Sequence, residues 1–121
     1  MLTVNKYNIL TFNKGDDIEL SLFLDCGSPI SPIQYELTND DTLYFGIIEY
    51  NQPFECALVR KVFTKNDIDE NNNVTIKLSG NDTYNIVPGE YSYEIKLKRD
   101  TGSGNYEVHT VVSRTKLIIL E

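Results

Sequence analysis

Tryptophan is missing from this chain, and histidine and methionine occur once each. A lone histidine, His109, rules out histidine pairs and zincin-type sites, and it leaves Cys–His dyads hard to assemble. Cysteine is scarce too. Cys26 and Cys56 stand apart with no CxxC neighbour, so they read as free thiols rather than a zinc site, with a bridge between them the alternative. No apolar run reaches the roughly 18 residues a membrane helix needs. The start, M-L-T-V-N-K-Y-N, lacks the basic opening and apolar core of a signal peptide. Basic residues are few: 11 Lys and Arg face 18 Asp and Glu, for a net charge of −7. That balance argues against a phosphate-backbone partner and against docking on anionic membrane. Helical spacing is also missing beyond a single turn.

What is present is alternation. In Val87–Arg99, V-P-G-E-Y-S-Y-E-I-K-L-K-R, a Pro88-Gly89 turn precedes Tyr91, Tyr93, Ile95 and Leu97 on one face. Ser92, Glu94, Lys96 and Lys98 take the other. Period two with aromatic and branched residues on one side is a half-buried strand. The same grammar marks strands at Tyr7–Phe12, Ile18–Leu24, Leu43–Tyr50, Leu58–Phe63 and Val74–Leu78, with a short one at Ile33–Leu37. Leu43–Tyr50 is apolar on both faces, which fits a central strand or a contact surface. Gly27, Pro29 and Pro32 make Asp25–Pro32 a loop, and Thr101–Asn105 is a hairpin tip. The return strand, Tyr106–Val112, is expected to bulge at Ser113-Arg114 and continue over Thr115–Leu120. Residues 1–121 therefore form one domain, an all-β antiparallel sandwich of seven or eight strands.

The P-G-E-Y-S-Y run sits where an immunoglobulin-like domain carries the strand with its tyrosine corner, and Tyr91 is the matching residue. There is no Trp, and Tyr93 stands at the place of the second Cys, so the likeness is one of architecture. The order K-G-D-D-I-E-L-S-L, Y-F-G-I-I, R-K-V-F-T-K-N-D-I, V-T-I-K-L-S-G-N-D-T, P-G-E-Y-S-Y-E-I-K-L and V-V-S-R-T-K-L-I-I-L resembles the small immunoglobulin-like domain of tailed-phage structural proteins. The N-terminal region of baseplate upper proteins is an example. The resemblance implies a non-enzymatic building module without cofactor. Its partners would be other virion or tail proteins or a second copy. It would sit in the host cytoplasm during assembly and then in the virion. A carbohydrate-binding module using surface tyrosines is the alternative.

Single residues add little chemistry. Asp67-Ile68-Asp69-Glu70-Asn71-Asn72-Asn73 imitates a calcium loop, but the required Gly is Asn72 and the closing Glu falls on Leu78. It reads as a solvated acidic loop, and no metal site is expected. Asn73-Val74-Thr75 and Asn81-Asp82-Thr83 fit the glycosylation pattern only incidentally. Glu36, Asp40, Asp41 and Glu49 show no spacing that selects a catalytic pair. The eight tyrosines supply core edges and recognition surfaces. Tyr44, Tyr50 and Tyr84 are the surface candidates. The structural candidates are Tyr91, whose hydroxyl would be worth about 1–3 kcal/mol if it caps buried backbone, and Gly89 at positive φ. On the last strand Val108, Thr110 and Val112 are expected inward, and Glu107 and His109 outward. A parity flip at the bulge then sends Leu117 and Ile119 inward and Lys116, Ile118 and Leu120 outward. Exposed Ile118 and Leu120 need cover, from Met1, Leu2 and Val4 or from a subunit or neighbour-domain contact.

Overall fold

The computed structural model describes residues 2–4, 8–23, 25–27, 32–34, 37–68 and 73–121. Its strands are β1 (Thr3–Val4), β2 (Leu10–Asn13), β3 (Ile18–Phe23), β4 (Asp25–Gly27), β5 (Pro32–Gln34), β6 (Asp41–Ile48), β7 (Val59–Phe63), β8 (Asn73–Leu78), β9 (Gly89–Gly102) and β10 (Asn105–Leu120). One helical turn, α1 (Gly80–Thr83), and two 3-10 turns, Phe54–Cys56 and Lys65–Asp67, complete the described structure. The chain is all-β, as its periodicity predicts. Against the expected seven or eight strands, the described residues hold ten. The surplus lies in two short pieces, β1 and β4: β4 falls where Asp25–Pro32 reads as loop, and it pairs with β5, which begins the short strand expected at Ile33–Leu37. Tyr7, Leu24, Tyr35 and Glu36 lie outside the described residues.

Six strands form one sheet in the order β1-β2-β10-β9-β6-β7, while β3 pairs with β8. The sheet is not wholly antiparallel. β2 runs parallel to the end of β10, with Leu10 opposite Leu117 and Phe12 opposite Ile119. Alternation decides the core. Leu43, Phe45 and Ile47 of β6, Tyr93, Ile95 and Leu97 of β9, and Leu117 and Ile119 of β10 are buried. They share one apolar cluster with Ile18 of β3 and Val74, Ile76 and Leu78 of β8. β6 is central, between β7 and β9.

β10 departs from expectation in an instructive way. Besides a slip beside the hairpin tip, between Asn105 and Tyr106, its register on β9 slips twice along the ladder, between Thr110 and Val112 and between Val112 and Thr115. The second slip is the bulge expected at Ser113-Arg114, and it places Leu117 and Ile119 inward. The first, at Val111, flips the parity once more. Val108 and Thr110 therefore pair with Lys98 and Lys96 on the outer face and are exposed, the reverse of the inward reading. His109 and Glu107 are exposed as expected, but they share the face of Leu97 and Arg99.

The corner before β9 is built as its sequence suggests. The Tyr91 hydroxyl donates to the Val87 carbonyl, and Gly89 takes φ +156° with open space where a Cβ would stand. A side chain there is opposed by backbone conformation, not by a clash. The Tyr91 bond lies at an exposed site, so water can replace part of it. Tyr91→Phe is therefore expected to cost about 1 kcal/mol, below most of the range for a cap on buried backbone. Thermal melting should register a drop of about 4 °C. Unchanged melting would mean that the hydroxyl contributes nothing.

α1 locks this end of the molecule. Gly80 approaches the Gly15 carbonyl so closely that a Cβ would lie 2.4 Å from its oxygen. The Gly80 N–H donates to Asp17 Oδ1 at 2.6 Å, and the Gly15 N–H donates to the fully buried Thr83 hydroxyl at 3.0 Å. Thr83 of the Asn81-Asp82-Thr83 pattern is thereby an internal strut.

Candidate functional site

The side chains opposite the core on β6, β9 and β10 form the outer face of the sheet. Because Leu43, Phe45, Leu97 and Ile95 point inward, Thr42, Tyr44, Lys96 and Lys98 must point outward. Register sets them in rungs. Val62 of β7, Tyr44, Lys96 and Thr110 form one; Thr42, Lys98 and Val108 form the next. At the end of the sheet the Asp100 N–H donates to the Asp40 carbonyl, and Tyr106 pairs with Asp100.

Two hollows sit on this face. One, of about 390 Å³, is walled by Tyr44 and Tyr106, with Lys98 between them and Asp40, Asp100 and Asn105 at its end. The other, of about 280 Å³, shares Tyr44, Lys98 and Tyr106 and adds Phe54, Arg60, Lys96 and Val108. Phe54 arrives from the 3-10 turn and lies over Gly46, where an added Cβ would meet its ring at 2.9 Å. Glycine is thus what seats the ring on the sheet.

The cations here are held by rings. Lys98 Nζ lies 4.2 Å from the Tyr106 ring centre, and Lys96 Nζ lies 5.4 Å from that of Phe54. Arg60 stands 5.8 Å from the Phe54 ring and donates to the Glu55 carbonyl at 3.0 Å. Such contacts favour a cation without neutralising it. Among the described residues, Lys61, Lys77, Lys116, Arg99 and Arg114 each have a carboxylate partner. Among the described residues no carboxylate is within ion-pair distance of Lys96 or Lys98.

Beneath the acidic end of the first hollow lies a structural pair. Arg99 Nε donates to Asp41 Oδ1 at 2.7 Å and Nη2 to Oδ2 at 3.1 Å, while the Thr38 N–H donates to Oδ2 at 2.9 Å. Asp41 is buried. The Arg99 hydrogen bonds hold its carboxyl below the usual value despite the opposing effect of burial. That pairing ties Asp41 to the β9 side of the sheet.

The sequence candidates scatter. Tyr44 lies between the hollows. Tyr50, 81% exposed in the β6–β7 connection, and Tyr84, 67% exposed beside α1, do not line either one. Tyr91 and Gly89 serve the corner. Ile118 is half-buried between its ladder neighbours Thr11 and Glu90, and Leu120 remains 45% exposed. The expected cover from the N-terminus is not what Leu2 provides: it packs on the core side with Leu10, Phe12 and Leu117. Met1 and the Val4 side chain lie outside the described residues. A subunit or neighbour-domain contact is the other cover weighed for Leu120. Ile118→Lys with Leu120→Lys is then expected to shift the protein to a smaller species on light scattering with the fold intact. A wild type already monomeric at high concentration would remove self-association through this strip.

Asp67 accepts from the Thr64 N–H at 2.8 Å, capping its own turn, and Asp69 and Asn71 of the calcium-like loop lie outside the described residues. Cys56 is a free, exposed thiol. Among the described residues no three His, Cys, Asp or Glu side chains gather to hold a metal ion, and no helix is long and apolar enough to cross a membrane. Tyr106, Phe54, Lys96 and Lys98 were not singled out by periodicity, because the polar side of an alternating strand reads as a solvated face. In comparisons with known proteins, no family model, no curated protein and no solved structure matches this chain.

Proposed function

We propose that the chain is an immunoglobulin-like β-sandwich acting as a non-enzymatic structural or adaptor module. It would be associated with a phage tail or baseplate and work through protein–protein contacts. The architecture supports the sandwich reading: β3–β8 shares a core with the sheet, β2 adds in parallel to the end of β10, and Tyr91 makes a corner bond. The observation that carries the functional reading is the outer face. Tyr44, Tyr106, Val108 and Val62 are presented beside Lys96 and Lys98, with aromatic and aliphatic area next to polar groups, as protein interfaces have. Other virion or tail proteins, or a second copy, are the partners, met in the host cytoplasm during assembly and kept in the virion.

A second reading rests on one hollow. Tyr44 and Tyr106 flank Asp40, Asp100 and Asn105, and rings beside carboxylates and an amide are what a sugar needs. Two measurements separate the readings. Mass spectrometry of purified particles should find the chain at a fixed ratio to tail proteins, and a glycan array should stay at background. A sugar signal lost in Tyr44→Ala with Tyr106→Ala, with no chain in particles, would establish the carbohydrate reading instead.

A further inference from the structure

We propose that the outer face of β6, β9 and β10 docks an extended, acidic segment of a partner polypeptide, with carboxylates at alternate positions meeting Lys96 and Lys98. This rests on the protein-contact reading above and names the partner's chemistry. In a chain of net charge −7, acceptors for a lysine are plentiful, yet these two have none within ion-pair distance among the described residues. They stand two residues apart on one face of β9, about 6.7 Å along the strand. Side chains at alternate positions of an extended peptide have the same spacing, so successive carboxylates match both ammonium groups without bending either chain.

The rings prepare the site. Tyr106 and Phe54 hold the two ammonium groups partly out of water, which strengthens an arriving ion pair and lowers the side-chain entropy lost on binding. Between the lysines, Tyr44 and Val108 offer apolar area for the peptide's backbone and stems. The surrounding acidic surface, with Asp40 and Asp100 at one end, repels long polyanions. A short segment with spaced charges is what remains, which disfavours nucleic acid and polyuronates.

The test is NMR titration of the full labelled chain with three capped probes. One is an eight-residue peptide alternating Glu and Thr. The second has the same composition in two blocks, and the third is an oligogalacturonate of similar charge. Shifts should gather at Tyr44, Lys96, Lys98, Tyr106 and Val108, and the alternating peptide should bind tightest. Lys96→Gln with Lys98→Gln should weaken it about tenfold, the worth of two partly desolvated pairs, with circular dichroism unchanged. Gly46→Ala, which displaces Phe54 without changing charge, should weaken it to a smaller degree. Absence of shifts on this face, equal binding of the block peptide, or tighter binding of the oligogalacturonate would each overturn the proposal. The two readings fail separately: peptide docking by a chain absent from particles would remove the virion assignment and leave this site standing.

Discussion

Replacing Arg99 by methionine should cost about 3 kcal/mol of folding stability at neutral pH, read from the midpoint of a urea transition. The Asp41 carboxylate it leaves behind is wholly buried, with side-chain exposure of 0%, whereas the Arg99 side chain is 36% exposed. The asymmetry decides which variant is worse. Removing the arginine leaves a buried charge that keeps the Thr38 bonds; removing Asp41 leaves a cation that water can reach. The figure sits at the low end for a broken buried pair because the arginine is partly solvated. For a domain of this length, whose whole stability is about 6–18 kcal/mol, that loss is substantial. Asp41→Asn combined with Arg99→Met should be milder than Arg99→Met alone, since no charge is then left buried. The pH dependence follows from the direction of the shift. Arg99 lowers the folded-state pKa of Asp41, so its contribution is fully present above the unfolded value near 3.9 and is lost as pH falls through the folded value. Wild type and Arg99→Met should therefore converge in strong acid. A gap that persists unchanged there would mean the arginine acts through packing.

Phe12→Ala is expected to cost about 3–5 kcal/mol, the range for truncating a buried aromatic. Phe12 has 0% exposure and stands opposite Ile119 in the parallel ladder. β2 is only four residues long, so its attachment depends on Leu10 and Phe12 more than on backbone bonds. The existing void beside them is about 10 Å³ and apolar, too small and too poor in polar groups for a water. Truncation would enlarge it into a dry cavity. Thr11→Ala, on the half-buried outer side of the same strand, is the control and should change the urea midpoint little.

The strands were largely legible because burial on one face writes itself as period two. β9, β3 and β8 follow the alternation of Tyr91–Leu97, Ile18–Ser21 and Val74–Leu78 closely. Two things stayed hidden. Pairing partners are set by long-range packing, so nothing local in L-T-F-N announces a parallel neighbour over a hundred residues away. Bulges change parity without a residue signature of their own. The Ser113-Arg114 slip was visible because Leu117 and Ile119 forced it. The one at Val111 was not, since the strand beyond it leaves the core and burial no longer dictates which face is apolar. The site went unread for the same reason: Lys96 and Lys98 occupy the wet face of the clearest strand, and only the fold brings Phe54 and Tyr106 beside them.

The two slips in β10 also bear on how the molecule tolerates crowding. β2 covers only Leu117–Leu120, so among the described residues Asn105–Lys116 has no strand partner on that side. A straight edge of that length is a template for runaway strand addition between copies. Each extra residue breaks the even ladder of donors and acceptors and steepens the local twist. A second copy laid along this edge would fall out of step within a few residues. At high concentration, copies of this chain would resist polymerising into fibrils through their own backbone, and contact would be left to side chains.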